Sequence, residues 1–219
     1  MIETDNLLSE INWGAWIADA DATELARAIE YVTTHQIRTV VMTPDAVRVV
    51  WPWVEGRGIE IWAYLEYGAG RDSASELARG AKNAFMHGAD GVIVTMRRRA
   101  IGAFADDMHV VRDDLFFNKN LTIALDASDV EPDQWSYVFS GLGRVRADGL
   151  MITCDNSVGL SSDFLGRVYG MLDNWDAGAF DGELNFALGD DLTRHVMASR
   201  LTQKMRPNGA AAARFFIPV

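Results

Sequence analysis

The chain has 219 residues, a net charge of −11 and 49% hydrophobic residues. These values suit one globular domain with a large buried core and exclude an intrinsically disordered chain. An acidic surface repels phosphate backbones and anionic lipids, so we expect neither nucleic acid nor a membrane among its partners. The single cysteine excludes an internal disulfide, and the acidic N-terminal segment, which lacks the pattern of a signal peptide, predicts a cytoplasmic protein.

Short apolar runs, many of them rich in β-branched residues, alternate with longer amphipathic segments along the chain. This alternation is typical of parallel strands that are covered on both faces by helices. The predicted strands are Trp13–Ala18, Thr39–Thr43, Glu60–Tyr67, Gly91–Met96, Leu121–Asp126, Gly149–Cys154, Glu183–Leu188 and Ala213–Ile217. Eight strands with seven intervening helices predict a compact α/β fold, a (βα)8 TIM-type barrel formed by residues 1–219 as one domain. A doubly wound open sheet is the alternative, but it seldom uses eight consecutive βα steps.

Helical periodicity is clear in three intervening segments, Ala22–His35, Ser75–His87 and Asp191–Met205. Acidic and hydroxyl residues at helix starts are predicted N-caps: Asp21, Asp45, Ser73, Asp133, Ser162 and Asp190. No helix is predicted after the last strand. A short amphipathic N-terminal helix, Glu3–Ile11, is expected to cover the gap between the last and first strands or to close the barrel bottom.

An ordered set of short motifs runs through the first two thirds of the chain. They are Asp21-Ala22-Thr23 after strand one, Pro44 and Val47 after strand two, Ala81-Lys82 and Gly88-Ala89-Asp90 before strand four, Arg99-Ala100 after it, and Ala147-Asp148 before strand six. In this order and spacing the chain resembles the deoxyribose-phosphate aldolase family over roughly residues 10–155. The resemblance implies a TIM barrel with a Schiff-base site at its mouth.

The active residues of that family do not carry over to this chain. The resemblance places the family's Schiff-base lysine at Met151 or a neighbour, its strand-seven lysine near Asn185 and its strand-four aspartate at Ile93. The lysines of this chain are Lys82, Lys119 and Lys204, none of them in strands six to eight. Because a Schiff base requires an amine at the mouth of the barrel, we predict that this chemistry is lost. The phosphate loop becomes Leu188-Gly189-Asp190-Asp191, so phosphate binding is expected to be lost with it.

In a barrel, function lies at the C-terminal ends of the strands, and strand alternation selects the side chains that face the axis. The selected polar residues are Tyr64, Glu66, Asp126, Thr153, Asp155 and Asn185, with Arg97 or Arg99 from the run Arg97–Arg99. We predict catalytic roles for Asp126, Asp155 and Glu66, because neighbouring carboxylates can share a proton or hold Mg²⁺. Tyr64, Arg97, Arg99, Thr153 and Asn185 are predicted to bind substrate. In the competing interpretation the acidic residues cap helices, and the arginines pair with Asp106, Asp107 or Asp126. Cys154 is predicted to be a core residue.

Two functional hypotheses follow. In the first, the barrel has lost Schiff-base chemistry and runs a different lyase or isomerase reaction, or binds a small molecule, at a carboxylate-rich mouth. In the second, it is a non-catalytic pseudoenzyme that serves as a structural or regulatory interaction module. Its contact surface would then be Trp51, Trp53, Phe116 and Phe117, and a homo-oligomer would be one product of such contacts.

Overall fold

A computed structural model describes residues 12–17, 20–67, 73–96, 104–114, 119–154, 162–175, 179–189, 192–205 and 213–219. Eight parallel strands close into a barrel in which each strand pairs with its sequence neighbours and β1 pairs with β8. They are β1 (Asn12–Trp16), β2 (Thr39–Met42), β3 (Glu60–Tyr67), β4 (Gly91–Met96), β5 (Asn120–Asp126), β6 (Gly149–Thr153), β7 (Glu183–Ala187) and β8 (Arg214–Pro218). The predicted TIM barrel is confirmed, because an open sheet would leave β1 and β8 unpaired.

One α-helix lies between each pair of consecutive strands. The helices are α1 (Ala22–Thr34), α2 (Pro44–Val54), α3 (Ala74–Met86), α4 (Phe104–Asp114), α5 (Trp135–Arg144), α6 (Ser162–Asp173) and α7 (Leu192–Met205). Two short 3₁₀ turns, Ala127–Asp129 and Pro132–Gln134, precede α5. Among the described residues, no helix has the length and apolar composition needed to cross a bilayer. The predicted segment Glu3–Ile11 lies outside the described residues.

Two of the predicted N-caps are confirmed. The Asp21 carboxylate accepts hydrogen bonds from the backbone N–H of Thr23 at 2.7 Å and of Glu24 at 2.9 Å at the start of α1. The Ser73 hydroxyl accepts one from the Glu76 N–H at 3.3 Å at the start of α3. Both caps orient a helix whose N-terminus faces the C-terminal rim of the barrel. Ser162 is the first residue of α6, and Asp190 lies outside the described residues.

Two other predicted caps, Asp45 and Asp133, are wrong. Thr43 caps α2 instead, since its hydroxyl accepts from the Ala46 N–H at 3.3 Å and places Asp45 within the first turn. Asp133 lies inside a 3₁₀ turn, so α5 begins only at Trp135. Pro44 is the first residue of α2, and Pro132 is the first residue of the 3₁₀ turn. Proline favours this position, so the acidic residue that follows each proline lies inside the turn and does not cap it.

The inside of the barrel is a packed apolar core that is separate from the layer between strands and helices. Its buried members are Val41, Trp62, Ile93, Ala124, Met151 and Phe216, with Trp16, Tyr64 and Ala187 packed against them. Even-numbered strands contribute a middle layer of four side chains, Val41, Ile93, Met151 and Phe216, which are at most 1% exposed. This layer separates the two ends of the barrel.

The N-terminal end of the barrel is closed by an arginine. The Arg214 guanidinium lies 2.9 Å from a carboxylate oxygen of Glu60 and 3.6 Å from one of Glu183. Its carbon also lies 4.8 Å from the ring centre of Trp62. Because the middle layer and this cluster fill the lower half, a ligand site inside the barrel has to lie at the C-terminal mouth.

Candidate functional site at the barrel mouth

A cavity of about 320 Å³ lies at the C-terminal mouth, where β6, β7, β8 and β1 meet. Its described lining residues are Trp16, Thr153, Cys154, Ala187, Gly189, Phe216 and Pro218. Phe216 belongs both to this lining and to the middle layer, so its ring forms the floor. A glycine permits that position, because a Cβ on Gly14 of β1 would overlap the ring of Phe216.

Two aromatic rings form one side of the mouth. Trp16, the last residue of β1, stacks on Tyr64 of β3 with ring centres 5.3 Å apart and an angle of 29° between the planes. In the strand registry Trp16 lies opposite Pro218 of β8 and Val41 of β2. The predicted binding residue Tyr64 therefore faces the barrel interior. It contacts the cavity wall through Trp16 and is not part of the lining described above.

Cys154 and Arg194 meet at the opposite side of the cavity. The guanidinium of Arg194, which is 5% exposed, lies 3.7 Å from the sulfur of Cys154. Cys154 itself is half-buried at the end of β6. Cys154 packs against the core between the strands and the helices, as predicted, and it also borders the cavity.

The end of β7 is shaped by a glycine and a buried histidine. Gly189 has φ of 75°, a left-handed conformation that favours glycine at this turn. Its carbonyl accepts a hydrogen bond from Nε2 of the fully buried His195 on α7, at 3.0 Å. Since α7 also carries Arg194, these contacts fix the helix start against the cavity wall.

The predicted carboxylates Asp126 and Glu66 are outside the cavity lining. Asp126 ends β5 opposite Thr153 of β6, which places it beside a lining residue. One of its oxygens accepts from the Ser128 N–H at 2.7 Å and the Ser128 hydroxyl at 2.6 Å, so the carboxylate caps a 3₁₀ turn. Glu66 is exposed at the end of β3. Asp126 therefore acts as a cap, as in the competing interpretation, although it lies at the predicted position, the C-terminal end of β5.

Asn185 lies below the cavity. It is completely buried, and neither its amide nitrogen nor its carbonyl oxygen has a hydrogen-bond partner among the described residues. In the strand registry it lies between Met151 of β6 and Arg214 of β8. A Cβ on Gly149 would lie 3.1 Å from the Asn185 amide nitrogen, so the glycine leaves room for this amide. The predicted contact between Asn185 and a ligand at the mouth has no support in this packing.

Three predicted site residues, Asp155, Arg97 and Arg99, lie outside the described residues. Two of the acidic partners considered for the arginines have other contacts. Asp106 lies 3.1 Å from Arg144, and Asp107 accepts a hydrogen bond from the Tyr67 hydroxyl. Within the described part of the chain, no three His, Cys, Asp or Glu side chains form a cluster that could hold a metal ion. A Mg²⁺ site that includes Asp155 stays a prediction.

The three lysines lie away from the mouth. Lys82 is exposed on α3, and Lys204 is exposed on α7. Lys119 precedes β5 at the N-terminal end of the barrel, where its amine donates to the Ala89 carbonyl at 2.8 Å and lies 4.0 Å from Asp90. None of these amines reaches the residues that line the cavity.

No protein-family model matches the chain, and no curated protein matches its sequence. Solved structures match its fold. A proposed deoxyribose-phosphate aldolase of Toxoplasma gondii superposes with a TM-score of 0.76 at 14% identity, covering 100% of this chain and 93% of that one. The deoxyribose phosphate aldolase of Aeropyrum pernix, which is described as tetrameric, gives 0.70 at 13% identity over 96% and 86% of the two chains.

The chain has the aldolase barrel fold. A proposed deoxyribose-phosphate aldolase of Coccidioides immitis supports the same conclusion, with a TM-score of 0.74 at 15% identity over 96% of this chain and 81% of that one. Identities this low establish a shared fold and no shared chemistry. The positions at which the resemblance places the family's aspartate and lysines hold Ile93, Met151 and Asn185, each 0% exposed.

Sequence reasoning missed the residues that form most of the cavity lining, above all Trp16 and Phe216. Strand alternation predicts that both side chains face the barrel interior, because Trp16 is two residues after Gly14 and Phe216 is two residues after Arg214. An apolar residue at a strand end carries no chemical signal of a site, so the sequence alone points to the polar residues of the rim. Arg194 carries no such signal, since its contact with Cys154 depends on how α7 packs against the end of β6.

Proposed function

We propose that this protein is an aldolase-like barrel that has lost Schiff-base chemistry and binds a small organic molecule at its C-terminal mouth. The observation that carries the proposal is the absence of lysine from β6 and β7, where the resemblance places the family's lysines at Met151 or a neighbour and near Asn185. Neither residue supplies an amine. The three lysines of the chain lie elsewhere on the barrel, so no lysine amine is available at the mouth to form a Schiff base with a carbonyl substrate.

The cavity supports the binding part of the proposal. Its volume of about 320 Å³ lies at the small end of the range found for ligand pockets. It also lies at the end of the barrel where ligands bind throughout this fold class. A lyase or isomerase reaction through Asp126, Asp155 and Glu66 is a finer form of the same proposal. It is supported by the registry of Asp126 with Thr153, which lines the cavity.

An interaction module is the second candidate function, and one exposed aromatic residue favours it. Trp51 on α2 is 37% exposed and packs over Gly88, where a Cβ would overlap its ring. Trp53 is half-buried on the same helix, and Met86, two residues before Gly88, is 66% exposed. Phe116 and Phe117 lie outside the described residues.

Borohydride trapping tests the loss of Schiff-base chemistry. The full chain is incubated with deoxyribose phosphate, reduced, and examined by intact mass and peptide mapping. We expect no lysine adduct and no turnover, and a Lys82→Arg variant should give the same result as the wild type. An adduct on a lysine of the folded protein that also supports turnover would overturn the proposal.

The binding part is tested through the only cysteine. Because Cys154 borders the cavity, a bound molecule should slow its alkylation by iodoacetamide, read by mass spectrometry. We expect the small-molecule fraction of a cell extract, from which free thiols that would consume iodoacetamide have been removed, to slow this reaction. If Cys154 reacts at the same rate with and without that fraction, the mouth is not a ligand site and the interaction module becomes the better function.

A further inference from the structure

The described lining of the mouth cavity contains no charged residue. This differs in kind from the carboxylate-rich mouth expected from the sequence and from a phosphate site. Trp16, Pro218 and Ala187 present apolar surface above the buried ring of Phe216, and Thr153 with Cys154 supply the polar side-chain atoms. The guanidinium of Arg194 contacts Cys154, but Arg194 is 5% exposed and does not belong to the described lining. A phosphate or carboxylate entering this part of the cavity would therefore lose hydration without a charged partner in its lining, which is strongly unfavourable.

The two aromatic lining residues are held in position before any ligand arrives. Trp16 is fixed by its stack on Tyr64, with ring centres 5.3 Å apart. Phe216 is 1% exposed, and its ring lies over Gly14 and 6.0 Å from the ring centre of Trp62. Because the Trp16 ring is already ordered, it loses little conformational entropy on binding, so it favours a ligand that offers it a flat apolar face.

Polar recognition is concentrated on β6. The Thr153 hydroxyl can donate or accept a hydrogen bond, and the Cys154 thiol, in contact with the buried Arg194, lies next to it. A cavity of about 320 Å³ with one polar side fits a small molecule that has one hydrogen-bonding group.

We infer that the mouth cavity binds an uncharged aromatic molecule of one or two rings. The rings pack against Trp16 and Pro218 above the floor that Phe216 forms, and a hydroxyl or similar neutral group on the ligand hydrogen-bonds to Thr153. This inference rests on the proposed function and names the ligand class for that site. It requires no contribution from Asn185, which lies below the floor.

Calorimetric titration with a matched pair of probes tests the ligand class. The probes are 2-naphthol and 2-naphthyl phosphate, which share their rings and differ in charge. We expect 2-naphthol to bind saturably and the phosphate to bind at least about tenfold more weakly. Equal or tighter binding of the phosphate would overturn the inference, as would no binding of 2-naphthol.

Variants locate the binding. Trp16→Leu should weaken the binding of 2-naphthol about tenfold or more, and Thr153→Val should weaken it about fivefold without removing apolar surface. Trp51→Leu, which removes an exposed tryptophan on α2, should leave it unchanged. Circular dichroism shows whether each variant is folded. Unchanged binding in both mouth variants would show that the naphthol binds elsewhere and would overturn the inference.

Alkylation of Cys154 separates this inference from the proposed function. Saturating 2-naphthol should slow the reaction, and 2-naphthyl phosphate at the same concentration should not. If 2-naphthol gives no protection while the small-molecule fraction does, the ligand class is wrong and the proposed function stands. If neither protects Cys154, both are wrong.

Discussion

A single amide in the barrel interior shows how a residue can cost stability without a visible role. Asn185 is 0% exposed, and both polar atoms of its side chain have no partner among the described residues. A buried polar group without a hydrogen bond costs about 1–3 kcal/mol relative to an apolar group of similar shape. We therefore expect Asn185→Leu to raise the free energy of unfolding by about 1–3 kcal/mol, measured by urea denaturation.

Thr122 provides the matched control for that substitution. It is also 0% exposed, but its hydroxyl donates to the side chain of Asn120 at 2.8 Å. Thr122→Val removes this hydrogen bond and should therefore lower the free energy of unfolding, whereas Asn185→Leu should raise it. If Asn185→Leu lowers it as well, the Asn185 amide is hydrogen-bonded, for example to an internal water, and the assigned cost is wrong.

At the scale of an element, the stability that the N-terminal cap of α3 provides depends on pH. The Ser73 N–H donates to the Glu76 carboxylate at 2.9 Å, completing a capping box with the Ser73 hydroxyl. This backbone hydrogen bond is the largest cause that lowers the pKa of Glu76 below its ordinary value, and the Ser73 hydroxyl and Arg79 contribute in the same direction.

The sign of the pH effect follows from that direction. A carboxyl whose folded-state pKa is depressed stabilises the fold above its unfolded-state pKa, and this stabilisation is lost as pH falls through the folded-state pKa. Glu76→Gln should therefore flatten the acid side of the curve of unfolding free energy against pH. Glu30→Gln, an exposed change on α1 outside any capping box, is the control. An unchanged curve for Glu76→Gln would contradict the prediction.

The element scale also shows what could be predicted from the sequence. The limits of β3 and β4 are those predicted, because apolar alternation ends where the strand ends. β1 ends at Trp16, two residues before its predicted end, since apolar character continues past the last ladder position. The inward phase of Tyr64, Thr153 and Asn185 was predictable, because parity along a strand is a local property. The sequence could not predict which of the inward-facing residues line the cavity, because that depends on the position of the Phe216 ring within the closed barrel.

At the scale of the whole molecule, none of the helices in the described residues covers the position between α7 and α1. A cavity of about 480 Å³ lies on the α1 side of this position, lined by Ile17, Ala20, Glu24, Arg27, Ala28, Tyr31 and Val219. Four of these residues, Glu24, Arg27, Ala28 and Tyr31, have the spacing of one helix face, so the cavity is a groove along α1. Tyr31 and Val219 are each 40% exposed there.

The N-terminal segment is the part of the chain that we expect to fill this groove. A helix over Glu3–Ile11 would be about 14 Å long, close to the length of β1, and would lead directly into Asn12. To run antiparallel to the strands, as α1 to α7 do, its last residues would have to form the turn into β1. Between the two predicted positions, the groove along α1 favours the sector between β8 and β1, because the Arg214 cluster already closes the barrel bottom.

Deleting residues 1–11 should then expose the apolar groove and lower the melting temperature, with increased binding of a hydrophobic dye. In the full chain, Leu7→Asp combined with Leu8→Asp should have the same effect, costing about 3 kcal/mol because two leucines lose their burial. Glu10→Gln, a polar change in the same segment, should be close to neutral. A truncated protein as stable and monodisperse as the full chain would show that the segment does not stabilise the barrel. If Tyr31→Asp in the full chain instead dissociates an oligomer, the groove is covered by a second copy.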